Sequence, residues 1–420
     1  MNKSVDFFES KKIPAQKTGT NKKVQFGDVA KKISNIVDPL TSGLSYYIEG
    51  GDIRTNDLQI KTWSKIGSSY LGPAFNHKFL KGQILYISRN PHLRKVGIPH
   101  FDGICANTTF VLEPQGNDII PELIPFIMQS EAFVQHTMRK AKGSTNPYIN
   151  WKDMACYEFV VPRKEEQRHI LTLLLAGESS LVNAEVFLTM AERAKQVFMN
   201  VLFREGIGHS DFKFIQSIGR IPKKWNVTTL GDITDIVSGA TLGRKLEGKT
   251  ILLPYLRVAN VQDGFIDLTE IKEIKILESE KNKWLLKDGD ILLTEGGDWD
   301  QLGRGGIWRG EIPNCIHQNH IFRVRIIDPN VDVDYLHFLI NSPFGKSFFL
   351  RCSKQTTNLA SINQSQLKKF IVLQPPLPEQ RQIAAILTRC DEMIAAARAN
   401  VVAAKALKMK MINEMLSPGM

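Results

Sequence analysis

The chain has 420 residues, 43% hydrophobic and 23% charged, which suits a soluble globular protein of two to four domains. No run is expected to approach the ~20 apolar residues of a membrane span, and the start MNKSVDFFESKKIP lacks the apolar core of a secretory signal. Five scattered cysteines without a CxxC pair argue against a disulfide framework, and Lys plus Arg exceeds Asp plus Glu by 54 to 43, so the expectation is a cytoplasmic protein that meets a polyanion, or merely a well-solvated basic one.

In chain order, residues 1–162 read as a first globular domain, opening with a lysine-rich segment (Lys11, Lys12, Lys17, Lys22, Lys23). Residues 163–205 read as one long helix. Its seam positions, Ile170, Leu174, Gly177, Leu181, Ala184, Leu188, Ala191, Lys195, Phe198 and Leu202, alternate steps of four and three. Residues 206–376 form a second globular domain, in which TLGDITDIV, LPYLRVANV, GDILLTEG and HIFRVRII read as short strands broken by turns. Residues 377–420 read as a second long helix.

The second half echoes the first. EQR at Glu166–Arg168 returns at Glu379–Arg381, an offset of 213. Adding 213 to each seam position gives Ile383, Leu387, Cys390, Ile394, Ala397, Val401, Ala404, Lys408, Met411 and Met415. Nine of the ten are small or apolar in both copies, and the lysine falls at the same place. Two helices of about 38 residues, each roughly 57 Å long, are expected to pair as a coiled coil. The plainer alternative is that each covers the core of its own domain. Upstream the echo is looser: Gly27-Asp28 matches Gly231-Asp232, Gly82 matches Gly289, and Asn107 matches Asn319. The expected fold class is therefore α+β, two globular mixed α/β domains alternating with two long helices in a pseudo-twofold repeat.

This arrangement, with PPLPEQRQIAAIL at 375–387, GDWDQLGRGGIW at 297–308 and PKKWNVTTLGDI at 222–233, resembles the DNA specificity subunit of type I restriction–modification systems. The first copy is a looser match, with VPRKEEQR in place of the Pro-Pro-Leu-x-Glu-Gln form. The resemblance implies a non-catalytic binding protein, each globular domain reading one half of an asymmetric bipartite site in double-stranded DNA. It further implies that the two helices pair as an antiparallel coiled coil, whose rods set half-site spacing and dock two methyltransferase subunits, with restriction subunits where the system has them. S-adenosylmethionine, ATP and Mg²⁺ would then act on the partner subunits, with no cofactor on this chain. A related methylation-only or type IIB-like system fits the same residues.

Several motifs compete with that reading. GRKLEGKT at 243–250 satisfies the phosphate-loop pattern, but a strand-like segment follows it where the mechanism needs a helix. Arg244, Lys245 and Lys249 make sense instead as a basic DNA-facing loop, or as a solvated turn. STNPYINW lacks the second proline of an adenine-methyltransferase motif and no glycine-rich cofactor loop precedes it. Cys315, His317 and His320 have ligand-like spacing without a fourth ligand, so no metal site is expected.

The DNA-binding candidates are therefore polar and basic loop residues. In the first domain they are Arg54 and Lys61, then Arg89, Asn90, His92, Arg94 and Lys95 in SRNPHLRKVG, then Thr145 and Asn146 in GSTNPYIN. In the second they are Arg244, Lys245 and Lys249, then Asp298, Gln301 and Arg304 in a glycine-rich loop expected to approach a duplex closely, then Gln318, Asn319, Thr357 and Asn358. Trp299 and Trp308 read as DNA-loop members or structural anchors. Helix pairing and partner docking fall to Ile170, Leu174, Leu181, Leu188, Phe198, Ile383, Leu387, Ile394, Val401 and Met411.

Overall fold

A computed structural model describes residues 22–216, 218–298, 303–352, 354–356 and 359–416. The chain divides into two compact units, Met1–Val186 with Arg398–Met420, and Phe187–Ala397. Two long helices, Lys164–Glu205 and Leu377–Met415, contribute to both.

In the first unit, Lys22–Gln25 pairs antiparallel with Glu158–Val161, the strand that leads into the first long helix. One four-stranded sheet has the order Ala30–Ile33, Thr109–Pro114, Ile84–Ile87, Val96–Gly97. A second runs Ser64–Lys65, Tyr46–Ile48, Gly103–Ala106, Phe75–Phe79, and within it Tyr46–Ile48 lies parallel to Gly103–Ala106. The second unit repeats the plan. Asn226–Thr229 pairs with Ile371–Gln374, the strand before the second long helix. A sheet of order Thr234–Ser238, Ile321–Ile326, Ile291–Thr294, Gly305–Ile307 follows, and Thr250–Leu256 lies parallel to Ile316–His317. Hence the repeat reaches the sheet topology, including a parallel pair in each copy.

Small signals in the sequence fix these elements. Gly27-Asp28 and Gly231-Asp232 each sit in a one-turn helix between two strands, where the aspartate accepts a bond from the backbone N–H three residues earlier, of Gln25 (2.9 Å) or Thr229 (3.2 Å). The EQR glutamines are fully buried latches. Gln167 Nε2 donates to the carbonyls of Asp118 and Pro162, and its Oε1 accepts from Ile120 N–H at 2.7 Å. Gln380 does the same with Asn330, Pro375 and, at 2.9 Å, Asp332 N–H. An amide that both donates and accepts is needed to satisfy these backbone groups away from water.

Each unit holds one arm of the helix pair. In the first, Ile170 and Leu174 near the start of one long helix share a core with Ile412 near the end of the other. In the second, Met199, Leu202 and Phe203 near the end of the first helix pack with Ile383, Ala384 and Leu387 near the start of the second. Start meets end in both cases, so the helices pair antiparallel.

The seam departs from strict heptads at one point in each copy. Phe198 is 44% exposed and Met411 only partly buried, while the following residues, Met199 and Ile412, are buried. A straight helix drifts ~20° per heptad from a 3.5-residue repeat, so after four heptads the inward face falls one residue later. Leu188 and Val401 are half-buried; Leu181 and Ile394 are buried. Contrary to expectation, Lys164–Glu205 contains an 18-residue window of mean hydropathy 1.4, long and apolar enough to cross a membrane by length and composition alone.

Candidate nucleic-acid interface

In the first unit the strand Ile84–Ile87 runs into the loop of residues 88–95. Asn90 and Arg94 both have φ of +50°, on either side of the tight turn Pro91–Leu93. Two left-handed non-glycine residues in five mark a shape imposed by surrounding contacts. Those contacts come from the other predicted loop, GSTNPYIN. Asn90 N–H donates to Pro147 O at 2.6 Å, Asn90 Nδ2 donates to Asn146 Oδ1 at 2.8 Å, and Ile149 N–H donates to Ser88 O at 3.0 Å. Arg89 and Lys142 each form a β-bridge with Tyr148. Two segments some fifty residues apart thus make one platform, on which Arg89, His92, Thr145 and Asn146 are exposed. Tyr148, 41% exposed, is the member that sequence reasoning missed. Its signal was an aromatic residue in an otherwise polar turn, a type suited to stacking or phosphate contact.

Three other candidates in this unit serve the fold. Arg94 donates to Gln129 O at 3.0 Å and pairs with Glu131, whose carboxyl it holds below the usual carboxylate range. Lys95 Nζ donates to Gly50 O at 2.6 Å. Lys61 sits between Asp57 (2.7 Å) and Glu185 (2.6 Å), neutralised and tied to the first long helix. Arg54 is exposed and makes no ion pair among the described residues.

The second unit builds the matching platform. The strand Ile291–Thr294 runs into the glycine-rich loop, whose residues Gly296, Gly297 and Asp298 pair antiparallel with Ser361, Ala360 and Leu359. The two predicted loops again converge. Gln301, Trp299, Thr357 and Asn358 lie outside the described residues, as does the Asp298 side chain. Arg304 is half-buried, and its carbonyl accepts from Thr294 N–H at 3.0 Å.

The glycines at the loop base correct the expected role. A Cβ on Gly303 would meet the Phe349 ring at 2.6 Å, and one on Gly305 would meet the Leu292 carbonyl oxygen at 2.2 Å. These glycines admit neighbours inside the protein rather than a duplex from outside. Trp308 is fully buried, an anchor. Gln318 Oε1 braces Val258 N–H at 3.4 Å, and Asn319 Nδ2 lies 3.4 Å from His320 Nε2, so neither amide is wholly open for base pairing.

GRKLEGKT also resolves into structure. The strand Thr250–Leu256 follows it, so no helix N-terminus points at the loop. Arg244 pairs with Glu280 through both terminal guanidinium nitrogens, Lys249 with Glu278 at 2.7 Å, and Lys245 with Glu247 at 3.3 Å. The Arg244 bonds hold the Glu280 carboxyl below its usual range. Each basic side chain of this loop has an acidic neighbour, while Lys245 and Lys249 remain largely exposed at the surface.

Cys315 and His317 are buried, His317 bonding to Ile321 O at 3.0 Å, while His320 pairs with Glu295 at the surface. Burial pushes the His317 imidazole down to about 4. Among the described residues no three His, Cys, Asp or Glu side chains group as metal ligands.

Known proteins carry the same architecture. Residues 222–403 match the type I restriction modification DNA specificity domain. A provisionally named type I restriction enzyme specificity subunit, MjaX of Methanocaldococcus jannaschii, is 29% identical over 48% of this chain and 48% of its own length. The EcoKI specificity subunit of Escherichia coli is 28% identical over 41% of this chain and 36% of its own, and the MjaVIII subunit of M. jannaschii 25% identical over 75% and 74%. The chain thus spans about half or less of the first two relatives. Two solved structures share the fold along 97% of the chain: one from a study of type I restriction–modification assembly (TM-score 0.58, 17% identity, 100% of that chain), and an S subunit from M. genitalium (TM-score 0.51, 14%, 99%). Residues 222–403 thus match a type I restriction modification DNA specificity domain, and the chain is similar to type I restriction enzyme specificity subunits.

Proposed function

We propose that this chain is the sequence-reading subunit of a type I restriction–modification complex in the cytoplasm, with no catalytic centre of its own. Each globular unit reads one half of an asymmetric bipartite site in double-stranded DNA. The long helices set the half-site spacing and dock two methyltransferase subunits, with restriction subunits where the system has them. S-adenosylmethionine, ATP and Mg²⁺ act on those partners.

The observation that carries this reading is the duplicated platform: the same two loops, after the same sheet strand and before the same long helix, joined by β-pairing in both units. Their side chains differ, Arg89, His92, Asn146 and Tyr148 in one and Arg304 in the other, as two readers of different half-sites require. Direct base readout supplies discrimination, and exposed cations supply affinity that falls steeply with salt.

The test is co-expression with the cognate methyltransferase, followed by genome-wide mapping of methylated adenines. The expected result is one motif of two unlike halves around a fixed gap. ATP turnover by the isolated chain, or binding indifferent to salt, would overturn the reading.

A further inference from the structure

The seam of the paired helices contains one charged position per copy, Lys195 and Lys408. Lys408 is 1% exposed; its Nζ lies 2.5 Å from Glu178 Oε2 and 3.0 Å from the Asn56 carbonyl oxygen. Lys195 Nζ lies 2.5 Å from Asp391 Oδ1 and 5.3 Å from the centre of the Phe338 ring. Glu178 and Asp391 are themselves 213 residues apart, as are the lysines. The two pairs thus use the same positions twice, with the helices exchanging roles, buried at Lys408–Glu178 and partly exposed at Lys195–Asp391.

A buried ion pair is a poor source of net stability, because desolvation offsets most of the attraction; its best-attested use is to specify register. This seam needs such a device. Gly177, Ala184 and Ala191 on one helix, and Cys390, Ala397 and Ala404 on the other, are too small to make shape-selective knobs. A slide of one heptad would leave the apolar pattern matched. The lysines would not follow. In one direction Lys195 would oppose Ala384 and Lys408 would oppose Leu171; in the other Lys195 would oppose Arg398. Neither slide keeps both pairs.

We propose that Lys195–Asp391 and Glu178–Lys408 lock the register of the two long helices and thereby, given the function proposed above, fix the gap between the half-sites. A one-heptad slide moves one helix along the other by about 10.5 Å, the length of about three base pairs.

The test uses the full-length chain with its methyltransferase, its own five cysteines replaced by alanine. The position of Gly177 against Met411, whose Sδ would lie 3.4 Å from an added Cβ, makes G177C/M411C a cross-link for the native register. G177C/A404C and A184C/M411C report a slide in either direction. In the apolar quadruple variant E178L/K195M/D391L/K408M, the native cross-link should lose its exclusivity and a slid one should appear. Methylated sites should then gain a second gap differing by about three base pairs, with both half-sites unchanged. The charge-exchanged variant E178K/K195D/D391K/K408E should restore a single register and a single gap, and it decides the matter if the apolar variant does not assemble. Native cross-linking alone in the apolar variant, or failure of the exchange to restore it, overturns the lock. Slid cross-links with an unchanged gap would keep the lock and overturn the spacing role of the helices. Absence of any bipartite motif with the unmodified chain would instead sink the underlying function.

Discussion

Two loops of this protein look alike on paper, SRNPHLRK at 88–95 and GRKLEGKT at 243–250, each with three basic side chains or more. In the second, Arg244, Lys245 and Lys249 each have a carboxylate partner, two of them on the short segment Glu278–Glu280. In the first, Arg94 and Lys95 hold the loop in shape while Arg89 and His92 stay exposed beside Tyr148 and Asn146. A count of basic residues therefore does not locate an interface. What matters is which cations remain after the fold has used its share.

This comparison can be broken or sharpened by substitution. The largest effect is expected at the base of the matching loop in the second unit. Gly305→Ala would drive a Cβ against the Leu292 carbonyl and should destabilise the second unit by about 2–3 kcal/mol, read as an earlier step in denaturant unfolding. Arg89→Ala should leave unfolding unchanged yet weaken discrimination at one half-site by about 1–3 kcal/mol, if its contact is bidentate. Arg94→Ala should cost about 1 kcal/mol of stability, because Gln129 O and Glu131 lose their partner. Its sign with pH is fixed. The depressed Glu131 carboxyl stabilises the fold above the unfolded carboxylate range, and that contribution is lost as pH falls through its folded value. The gap between Arg94→Ala and the unmodified chain should therefore narrow in acid. Smallest of all, the triple substitution R244A/K245A/K249A should change half-site affinity by about 0.5 kcal/mol or less, since those charges are already matched. A large, uniform loss with a reduced salt slope would return that loop to the interface.

The fold was largely legible because a rod must keep its period. The 213-residue offset and the seam follow from spacing alone, whereas the antiparallel orientation was implied by the family resemblance. The one-residue shift from Phe198 to Met199, and from Met411 to Ile412, was not legible, because strict heptads hide the drift of a straight helix. The site was half legible. Both loop pairs could be named from their turn residues, but not which side chains the fold would consume. Glu280 lies 36 residues from Arg244, and Glu185 lies 124 from Lys61, so their pairing exists only in three dimensions. Gly303 and Gly305 misled for the same reason: a glycine signals close approach without saying by what. The EQR glutamines stood out as a repeat, whereas their latch role needed the carbonyls of Asp118 and Asn330, 49 and 50 residues away, to be in view.

The central claim is that the two platforms read different halves of one site. The most direct measurement is adenine-methylation mapping of the complex carrying Arg89→Ala or Arg304→Ala, each compared with the unmodified chain. The account predicts relaxed sequence preference in one half for Arg89→Ala and in the other half for Arg304→Ala, with the gap unchanged in both. Relaxation of the same half by both variants, or an unaltered motif in both, would contradict it.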